Sequence, residues 1–168
     1  MSNEITNHLF DEAELREVDR ILAQFPEKMA GTLPLLWMIQ EKYGWISTES
    51  MEYVGQLCEV PYDHVLGVVT FYTMYNQKPV GKVHLQICTN VSCMLRGADR
   101  IFDHISNKHN IKNKQTTPDG VYTIERVECL GSCATAPMMQ VNNKEFYENL
   151  DLNKIDELLE ELKQKYSN

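Results

Sequence analysis

The sequence predicts an α/β protein in which an N-terminal helical bundle precedes a small layer of helices and strands. Apolar residues recur at helical spacing as far as a Pro- and Gly-containing segment, residues 76–82, and alternate with polar residues directly after it. This change of period predicts two domains, residues 1–79 and residues 80–168. A chain of 168 residues, 43% of them hydrophobic, can bury a core without a metal to hold the fold.

Four helices are predicted in residues 1–79, each with apolar side chains along one side. These apolar positions are Leu15, Val18, Leu22 and Phe25 in the first helix, Leu35, Met38, Ile39 and Tyr43 in the second, Met51, Val54 and Cys58 in the third, and Val65, Val68 and Val69 in the fourth. Pro26 ends the first helix, whereas Pro34 begins the second helix and Gly44 ends it. Ser47 or Thr48 caps the third helix.

Residues 80–168 predict strands and helices in the order β-α-β-β-β-α, which is typical of helices packed against a small sheet. The predicted elements are a strand at 82–88, a helix at 93–109, a strand at 120–129, a hairpin within 137–150 that turns at Asn142 and Asn143, and an amphipathic helix at 153–166.

Composition and charge exclude several classes of protein. The net charge of −8 argues against general binding of nucleic acid or anionic lipid. A helix-turn-helix pattern at residues 57–72 lacks cations for phosphate, since no Lys or Arg occurs between Tyr43 and Gln77. No signal peptide is apparent, and no apolar run reaches the roughly 18 residues needed for membrane insertion. The expected location is therefore the cytoplasm.

Four of the five cysteines form two closely spaced pairs. Cys88 and Cys93 have four residues between them, and Cys129 and Cys133 have three. In a chain without a secretory signal, ligands or redox groups are favoured over disulfides. Each pair lies in the loop that follows a predicted strand, and such loops can meet at one end of a sheet. The four thiols can therefore converge.

Three kinds of chemistry fit four converging thiols to different degrees. A thioredoxin-type dithiol needs two residues between its cysteines, which neither pair has. Zinc accepts four thiolates, usually at shorter spacing. A [2Fe–2S] cluster is wider, and its plant-type spacing also begins with four intervening residues. The spacing favours the cluster, while zinc in a non-redox interaction domain, or thiols with no ligand, remain open.

Small residues beside the cysteines also favour a cluster, whose net negative charge needs hydrogen-bond donors. Gly131 and Ala134 let the backbone approach the sulfur atoms, and Pro137 fixes the exit of the loop. The predicted helix after Cys93 offers free N–H groups and a dipole that favour an anion. Its first residues are Met94, Leu95 and Gly97.

Several segments resemble one protein family. The stretches "CTNVSCMLRGAD", "VECLGSCATAPMMQVN" and "YENL" are similar to the small [2Fe–2S] subunit of NADH:quinone oxidoreductase, respiratory complex I (the 24-kilodalton type). The stretches "FPEK", "YGWIS", "VPYDHVLGVVTFYTMY" and "TPDG" match the same family. The resemblance covers nearly the whole chain. Related subunits occur in NAD-linked hydrogenases and formate dehydrogenases.

The resemblance implies a helical N-terminal domain joined to a thioredoxin-like [2Fe–2S] ferredoxin domain. It implies four cysteines that bind the cluster and its iron: Cys88, Cys93, Cys129 and Cys133. It also implies docking onto a flavoprotein subunit that binds FMN and NADH, among other peripheral-arm subunits at the inner face of the membrane. The chain has no glycine-rich dinucleotide fingerprint and is interpreted as an electron-transfer subunit without a complete active site of its own.

The remaining candidates have ordinary structural interpretations. Cys58 is interpreted as a buried core thiol, since it lies on the apolar side of a predicted helix. Phe71, Tyr72 and Tyr75 fit either a partner surface or packing between the two domains. With four cysteines available, no histidine ligand is needed, although His84 lies on the strand that leads to the first pair.

Overall fold

The computed structural model describes residues 9–166. The chain divides into two compact units between Pro79 and Val80. Buried apolar side chains form a separate cluster within each unit. No helix in the described part of the chain is both long enough and apolar enough to cross a membrane.

The helical unit, residues 9–79, contains the four predicted α-helices and one short 3-10 helix. These are α1 (Glu12–Leu22), the 3-10 helix Lys28–Gly31, α2 (Thr32–Tyr43), α3 (Thr48–Leu57) and α4 (Tyr62–Phe71). Phe25 lies beyond the end of α1 and is 36% exposed, so its predicted place on the apolar side of that helix is wrong. α2 begins at Thr32, two residues before Pro34, and not at Pro34 as predicted. The helix tolerates this proline because a residue in the first turn has no intrahelical hydrogen bond to lose.

Local hydrogen bonds and one left-handed residue set the ends of these helices. The Asp11 carboxylate accepts from the N–H of Glu14 at 2.9 Å, and the Glu14 carboxylate accepts from the N–H of Asp11 at 2.7 Å. Ser47 caps α3 by accepting from the N–H of Ser50, as predicted. Gly44 ends α2 with a φ of +78°, which a residue without a Cβ adopts at little cost.

A part-buried amide joins α2 to the segment after α4. The Gln40 side chain donates to the carbonyl of Met74 at 2.8 Å and accepts from the N–H of Asn76 at 2.6 Å. The Asn76 side chain donates to the carbonyl of Gly44 at 3.0 Å, and the backbone carbonyl of Asn76 accepts from the N–H of Ile46 at 2.8 Å. These bonds satisfy polar groups that would otherwise be costly to bury, and they hold the end of the unit against α2.

The sheet unit, residues 80–166, is a five-stranded mixed sheet with three α-helices. Its elements are β1 (Val83–Cys88), α5 (Val91–Leu95), α6 (Ala98–His109), β2 (Gln115–Thr116), β3 (Tyr122–Val127), the 3-10 helix Cys133–Thr135, β4 (Met139–Val141), β5 (Glu145–Tyr147) and α7 (Leu152–Tyr166). The strand order is β2-β3-β1-β4-β5, in which β1 and β3 are parallel and the other neighbours antiparallel. The hairpin turns at Asn142 and Asn143, as predicted, with φ of +53° and +57°.

The core of this unit lies where α6 and α7 pack against the sheet. Val83, Leu85 and Ile87 alternate along β1, next to Ile124 of β3, and are fully buried. The two helices contribute the buried residues Ile101, Phe102, Ile105, Ile155, Leu159 and Leu162. The strand alternation in the sequence therefore marks the core positions of β1 correctly.

Two predictions for this unit are wrong. The single helix predicted at 93–109 is two helices, because Gly97 adopts a φ of +96° that an α-helix cannot continue through. α5 also begins at Val91, before Cys93. The strand β2 was not predicted, since two residues are too few to show a period.

A carboxylate cluster ties β5 to α7. The Glu145 carboxylate pairs with Lys165 at 2.5 Å and accepts hydrogen bonds from Tyr147 at 2.7 Å and Tyr166 at 2.8 Å. These bonds, that of Lys165 first, lower the pKa of Glu145 to about 2. The ionised carboxylate thus stabilises the packing of the hairpin on the last helix.

We expect Glu145→Gln to lower the free energy of unfolding by about 1 kcal/mol at pH 7, a modest value because the carboxylate is partly solvated. Since its folded pKa is below the ordinary 4.5, its contribution is present above about pH 4.5 and is lost as pH falls toward 2. Chemical denaturation should therefore show a smaller difference between wild type and variant at pH 3. Glu157→Gln, an exposed change on α7, is the control, and an equal loss there would contradict the prediction.

Candidate metal centre

Parallel pairing of β1 and β3 brings the two cysteine segments to one end of the sheet. Cys88, the last residue of β1, lies opposite Val127, the last residue of β3. The N–H of Thr89 donates to the carbonyl of Val127 at 3.0 Å, which extends the pairing beyond the strand. Cys129 follows two residues after β3. Because parallel strands end on the same side, both loops begin at one place.

The first cysteine pair is buried. Cys88 and Cys93 are 3% and 2% exposed, and Cys88 is among the groups that raise the pKa of the Cys93 thiol. The Asn90 side chain accepts from the N–H of Val91 at 2.8 Å at the start of α5. Cys93 therefore lies within α5 and not ahead of a helix.

The amides expected to face the first pair are used inside the helix instead. The N–H of Met94 donates to the carbonyl of Asn90 at 2.9 Å, and the N–H of Gly97 donates to the carbonyl of Met94 at 3.0 Å. The expectation that a helix starts with free amides after Cys93 is wrong, because α5 has already begun at Val91.

The second cysteine pair is exposed, and its two sulfur atoms are close together. The Sγ atoms of Cys129 and Cys133 are 4.0 Å apart. Gly131, between them, has a φ of +84°, and its N–H donates to the Sγ of Cys129 at 3.4 Å. The approach of the main chain to sulfur that the small residues predicted is present at Gly131.

Contacts between the two loops bring the pairs together. The N–H of Cys88, at the end of β1, donates to the carbonyl of Met138 at 3.2 Å. The Arg96 guanidinium donates to the carbonyl of Ala136 at 3.3 Å. The Cys93 thiol also interacts electrostatically with Cys133. Both cysteine segments therefore lie at the same end of the sheet, with one pair buried and the other exposed.

Burial controls the protonation of Cys93. Burial and the hydrogen bond with Cys88 raise the pKa of the Cys93 thiol to about 11, against the opposing effect of a backbone hydrogen bond with Met138. Cys93 is thus protonated at neutral pH as a free thiol. A metal that binds there displaces this proton, since the thiolate is the ligand.

The donor set suits a two-iron cluster. A [2Fe–2S] cluster takes four thiolates, two on each iron, and the four sulfurs here are arranged as two pairs. The N–H of Gly131 already points at a sulfur, as a negatively charged cluster requires.

The remaining candidates divide between core and surface of the helical unit. Cys58 is 1% exposed and burial raises the pKa of its thiol, which confirms a core role. Tyr75 is also buried, and its hydroxyl donates to the carbonyl of Leu33 at 2.9 Å. Phe71 is 77% exposed. Tyr72 makes edge contacts with both of these aromatic rings.

Two side-chain interactions in the sheet unit were not predicted from the sequence. His84 lies 3.0 Å from the carboxylate of Glu125 on the neighbouring strand. Strand alternation can put each residue on a face, but it does not say which strands are neighbours. Glu148 accepts hydrogen bonds from Ser132 and Thr135 in the second cysteine loop. A separation of 16 residues between Glu148 and Ser132 leaves no local spacing that could indicate this contact.

The chain is similar to a known protein family and to named subunits of NADH-quinone oxidoreductases. A family model described as thioredoxin-like [2Fe–2S] ferredoxin matches residues 18–163. The E-type subunit of the NADH-quinone oxidoreductase of Rickettsia prowazekii (strain Madrid E) is 40% identical over 166 residues, which cover 96% of this chain and 93% of that protein. The second E-type subunit of the NADH-quinone oxidoreductase of Rhizobium meliloti (strain 1021) is 38% identical over 144 residues, which cover 86% of this chain and 85% of that protein.

A solved structure shows the same fold. A chain of an NAD+-reducing [NiFe]-hydrogenase in the air-oxidized state superposes with a TM-score of 0.69 at 19% identity. The match covers 80% of this chain and 23% of the hydrogenase chain, so this chain corresponds to about a quarter of that protein. Together with the family model, this likeness confirms the predicted fold class.

We expect Gly131→Val to lower the iron and acid-labile sulfide bound per chain by at least about half. A Cβ at Gly131 meets no atom within 4 Å, so the effect comes from the φ of +84°, which costs a branched residue about 1–3 kcal/mol. Iron and sulfide assays after reconstitution measure it. Gly67→Val is the matched control, since a Cβ there also meets nothing within 4 Å and no positive φ is required. Equal cluster content in the two variants would contradict the argument.

Proposed function

The chain belongs to the family of thioredoxin-like [2Fe–2S] ferredoxins, and from this membership we propose that it is the electron-transfer subunit of an NADH:quinone oxidoreductase. We propose four thiolate ligands for its cluster: Cys88, Cys93, Cys129 and Cys133. The observation that carries this function is the meeting of four thiols, as two pairs, where the parallel strands β1 and β3 end. A relative that is 40% identical over nearly the whole chain is named as the E-type subunit of that complex.

The arrangement of the ligands suits exchange of electrons with another protein. A [2Fe–2S] cluster held here would supply transfer of one electron at a time. Cys88 and Cys93 are buried and keep their side of the site dry, whereas Cys129 and Cys133 are exposed. The exposed pair therefore defines the side from which a partner can approach, and the N–H of Gly131 stabilises negative charge on that side.

The proposed partner is a flavoprotein subunit that binds FMN and NADH. A [2Fe–2S] cluster held by four thiolates would carry electrons but would not bind a dinucleotide, so we assign the flavin and the nicotinamide to another subunit. The relatives are themselves named as one subunit of a larger complex. In this proposal the chain joins other peripheral-arm subunits at the cytoplasmic face of the membrane.

A second candidate is the equivalent subunit of an NAD-linked hydrogenase. The fold match to a chain of an NAD+-reducing [NiFe]-hydrogenase favours it. Identity of 19% to that chain, against 40% to an E-type subunit of NADH-quinone oxidoreductase, puts the NADH:quinone oxidoreductase first. Isolation of the native complex and identification of its other subunits decides between the two assemblies.

We further propose that the two units divide the work. Each has its own buried apolar cluster, within residues 10–75 and residues 83–166 respectively. The four proposed ligands all lie in the second unit. Cluster binding is therefore assigned to residues 80–168, and attachment to the flavoprotein mainly to residues 1–79.

We expect the single changes Cys88→Ala, Cys93→Ala, Cys129→Ala and Cys133→Ala each to abolish the red-brown absorption of the oxidised cluster and its low-temperature paramagnetic signal on reduction. Each change removes one of four thiolates. Cys58→Ala should keep both signals, because Cys58 is a core thiol of the other unit. Bleaching by Cys58→Ala with a normal spectrum in Cys129→Ala would disprove the assignment. A colourless wild type that binds one zinc ion would support a zinc-stabilised interaction domain instead.

We expect a fragment of residues 80–168, reconstituted with iron and sulfide, to give the same visible spectrum as the full chain but to bind the flavoprotein at least about tenfold more weakly. The reason is that all four thiols and one complete core lie within it. Absorption spectra and binding titrations against the flavoprotein subunit measure the two effects. A folded fragment that takes up no cluster, or one that binds the partner as tightly as the full chain, would contradict the corresponding half of the proposal.

A further inference from the structure

A carboxylate outside the four ligands holds the second cysteine loop. Glu148 follows β5 directly and accepts hydrogen bonds from the hydroxyls of Ser132 and Thr135, the latter at 2.6 Å. Ser132 precedes Cys133, and Thr135 closes the 3-10 helix that begins at Cys133. The carboxylate therefore contacts the loop on both sides of one proposed ligand.

The hydroxyls of Ser132 and Thr135 can both donate to Glu148 when its carboxylate is ionised. The Oγ of Ser132 and the Oγ1 of Thr135 lie 2.6 Å apart, and each hydroxyl has one proton to donate. When Glu148 is ionised, its oxygen accepts both protons, and the two hydroxyls are held together by their shared acceptor. These bonds, that of Ser132 first, lower the pKa of Glu148. Charge-assisted hydrogen bonds of this kind are stronger than neutral ones.

The backbone next to Glu148 reinforces the same contact. The N–H of Asn149 donates to the carbonyl of Thr135 at 2.8 Å, and the N–H of Leu150 donates to the carbonyl of Pro137 at 3.0 Å. The segment 148–150 thus lies along the loop from its ligand-bearing turn to its exit. Its position depends in turn on β5, which pairs with β4 in the sheet.

We propose that Glu148 is a positioning residue that holds the loop of Cys129 and Cys133 in the shape that binds the cluster. This inference rests on the proposed function, since it concerns two of the proposed ligands. Glu148 is exposed, so its charge is screened by water and salt and acts weakly at a distance. Its effect therefore comes through the hydrogen bonds to Ser132 and Thr135, and an uncharged acceptor of the same shape should replace most of it.

The test compares Glu148→Ala, which removes the acceptor, with Glu148→Gln, which keeps an oxygen at the same position. Glu157→Ala is the matched control, because Glu157 is also acidic and lines the same cleft of about 310 Å³ between β5 and α7. The full chain of each variant is reconstituted with iron and sulfide. The measurements are the rate at which a chelator removes iron and the visible circular dichroism of the cluster, which reports ligand geometry.

We expect Glu148→Ala to lose iron about tenfold faster, the scale of a lost charge-assisted hydrogen bond, and to change the circular dichroism. Glu148→Gln keeps an oxygen that accepts the same hydrogen bonds more weakly, so it should lose iron only about threefold faster than the wild type and keep most of the circular dichroism. Glu157→Ala should match the wild type. Ser132→Ala combined with Thr135→Val should reproduce Glu148→Ala, and adding Glu148→Ala to that pair should have no further effect. Wild-type behaviour of Glu148→Ala, or an equal defect in Glu157→Ala, overturns the proposal.

A measurement on the apoprotein separates this inference from the proposed function. Hydrogen exchange at the amide of Asn149, which donates to Thr135, should be about tenfold faster in Glu148→Ala than in the wild type and unchanged in Glu157→Ala. A wild-type chain that takes up no cluster would disprove the proposed function. Unchanged exchange at Asn149 in Glu148→Ala would disprove the role of Glu148 in holding the loop, whatever the wild type binds.

Discussion

The parallel pairing of β1 with β3 is the constraint on which the site depends. Cys88 ends β1 opposite Val127, so the loops that carry the two cysteine pairs leave the sheet at the same end. All six residues of β1 are buried, with Leu85 and Ile87 on one face of the strand and His84, Gln86 and Cys88 on the other. A shift of the register by one residue would exchange these two faces and turn Cys88 to the opposite side of the sheet. The placement of the apolar core residues and of the two cysteine segments is therefore a consequence of one register.

The two loops then complement each other. The first is short and partly helical, and its two cysteines are buried although most of its other residues are exposed. Burial keeps the Cys93 thiol protonated until a metal displaces the proton. The second is exposed, and a left-handed Gly131 turns one N–H toward a sulfur. Two hydrogen bonds join the loops, one from the N–H of Cys88 to the carbonyl of Met138 and one from Arg96 to the carbonyl of Ala136. A site with one dry side and one open side follows from this difference in burial.

Hydrogen bonds hold the exposed loop to the segment that follows β5. The segment after β5 provides these bonds through the carboxylate of Glu148 and the N–H groups of Asn149 and Leu150. That segment is positioned by the hairpin of β4 and β5, which Glu145 ties to α7. The exposed cysteine pair is thus held by residues next to the edge strand β5, whereas the buried pair follows the central strand β1.

The sequence by itself determined the features that depend on neighbouring residues. The spacing of the cysteine pairs, the cap at Ser47 and the turn at Asn142 and Asn143 are local, because backbone preference and side-chain reach act over a few positions. Only the tertiary structure decided the features that depend on contacts far apart in the chain, such as the hold of Glu148 on the second cysteine loop. Two local features were also not predicted. The helix breaks because Gly97 adopts a φ of +96°, and the two residues of β2 are too few to show a period. The bond from Ser132 to Glu148 spans 16 residues and exists because strand pairing, not sequence spacing, brings the two together.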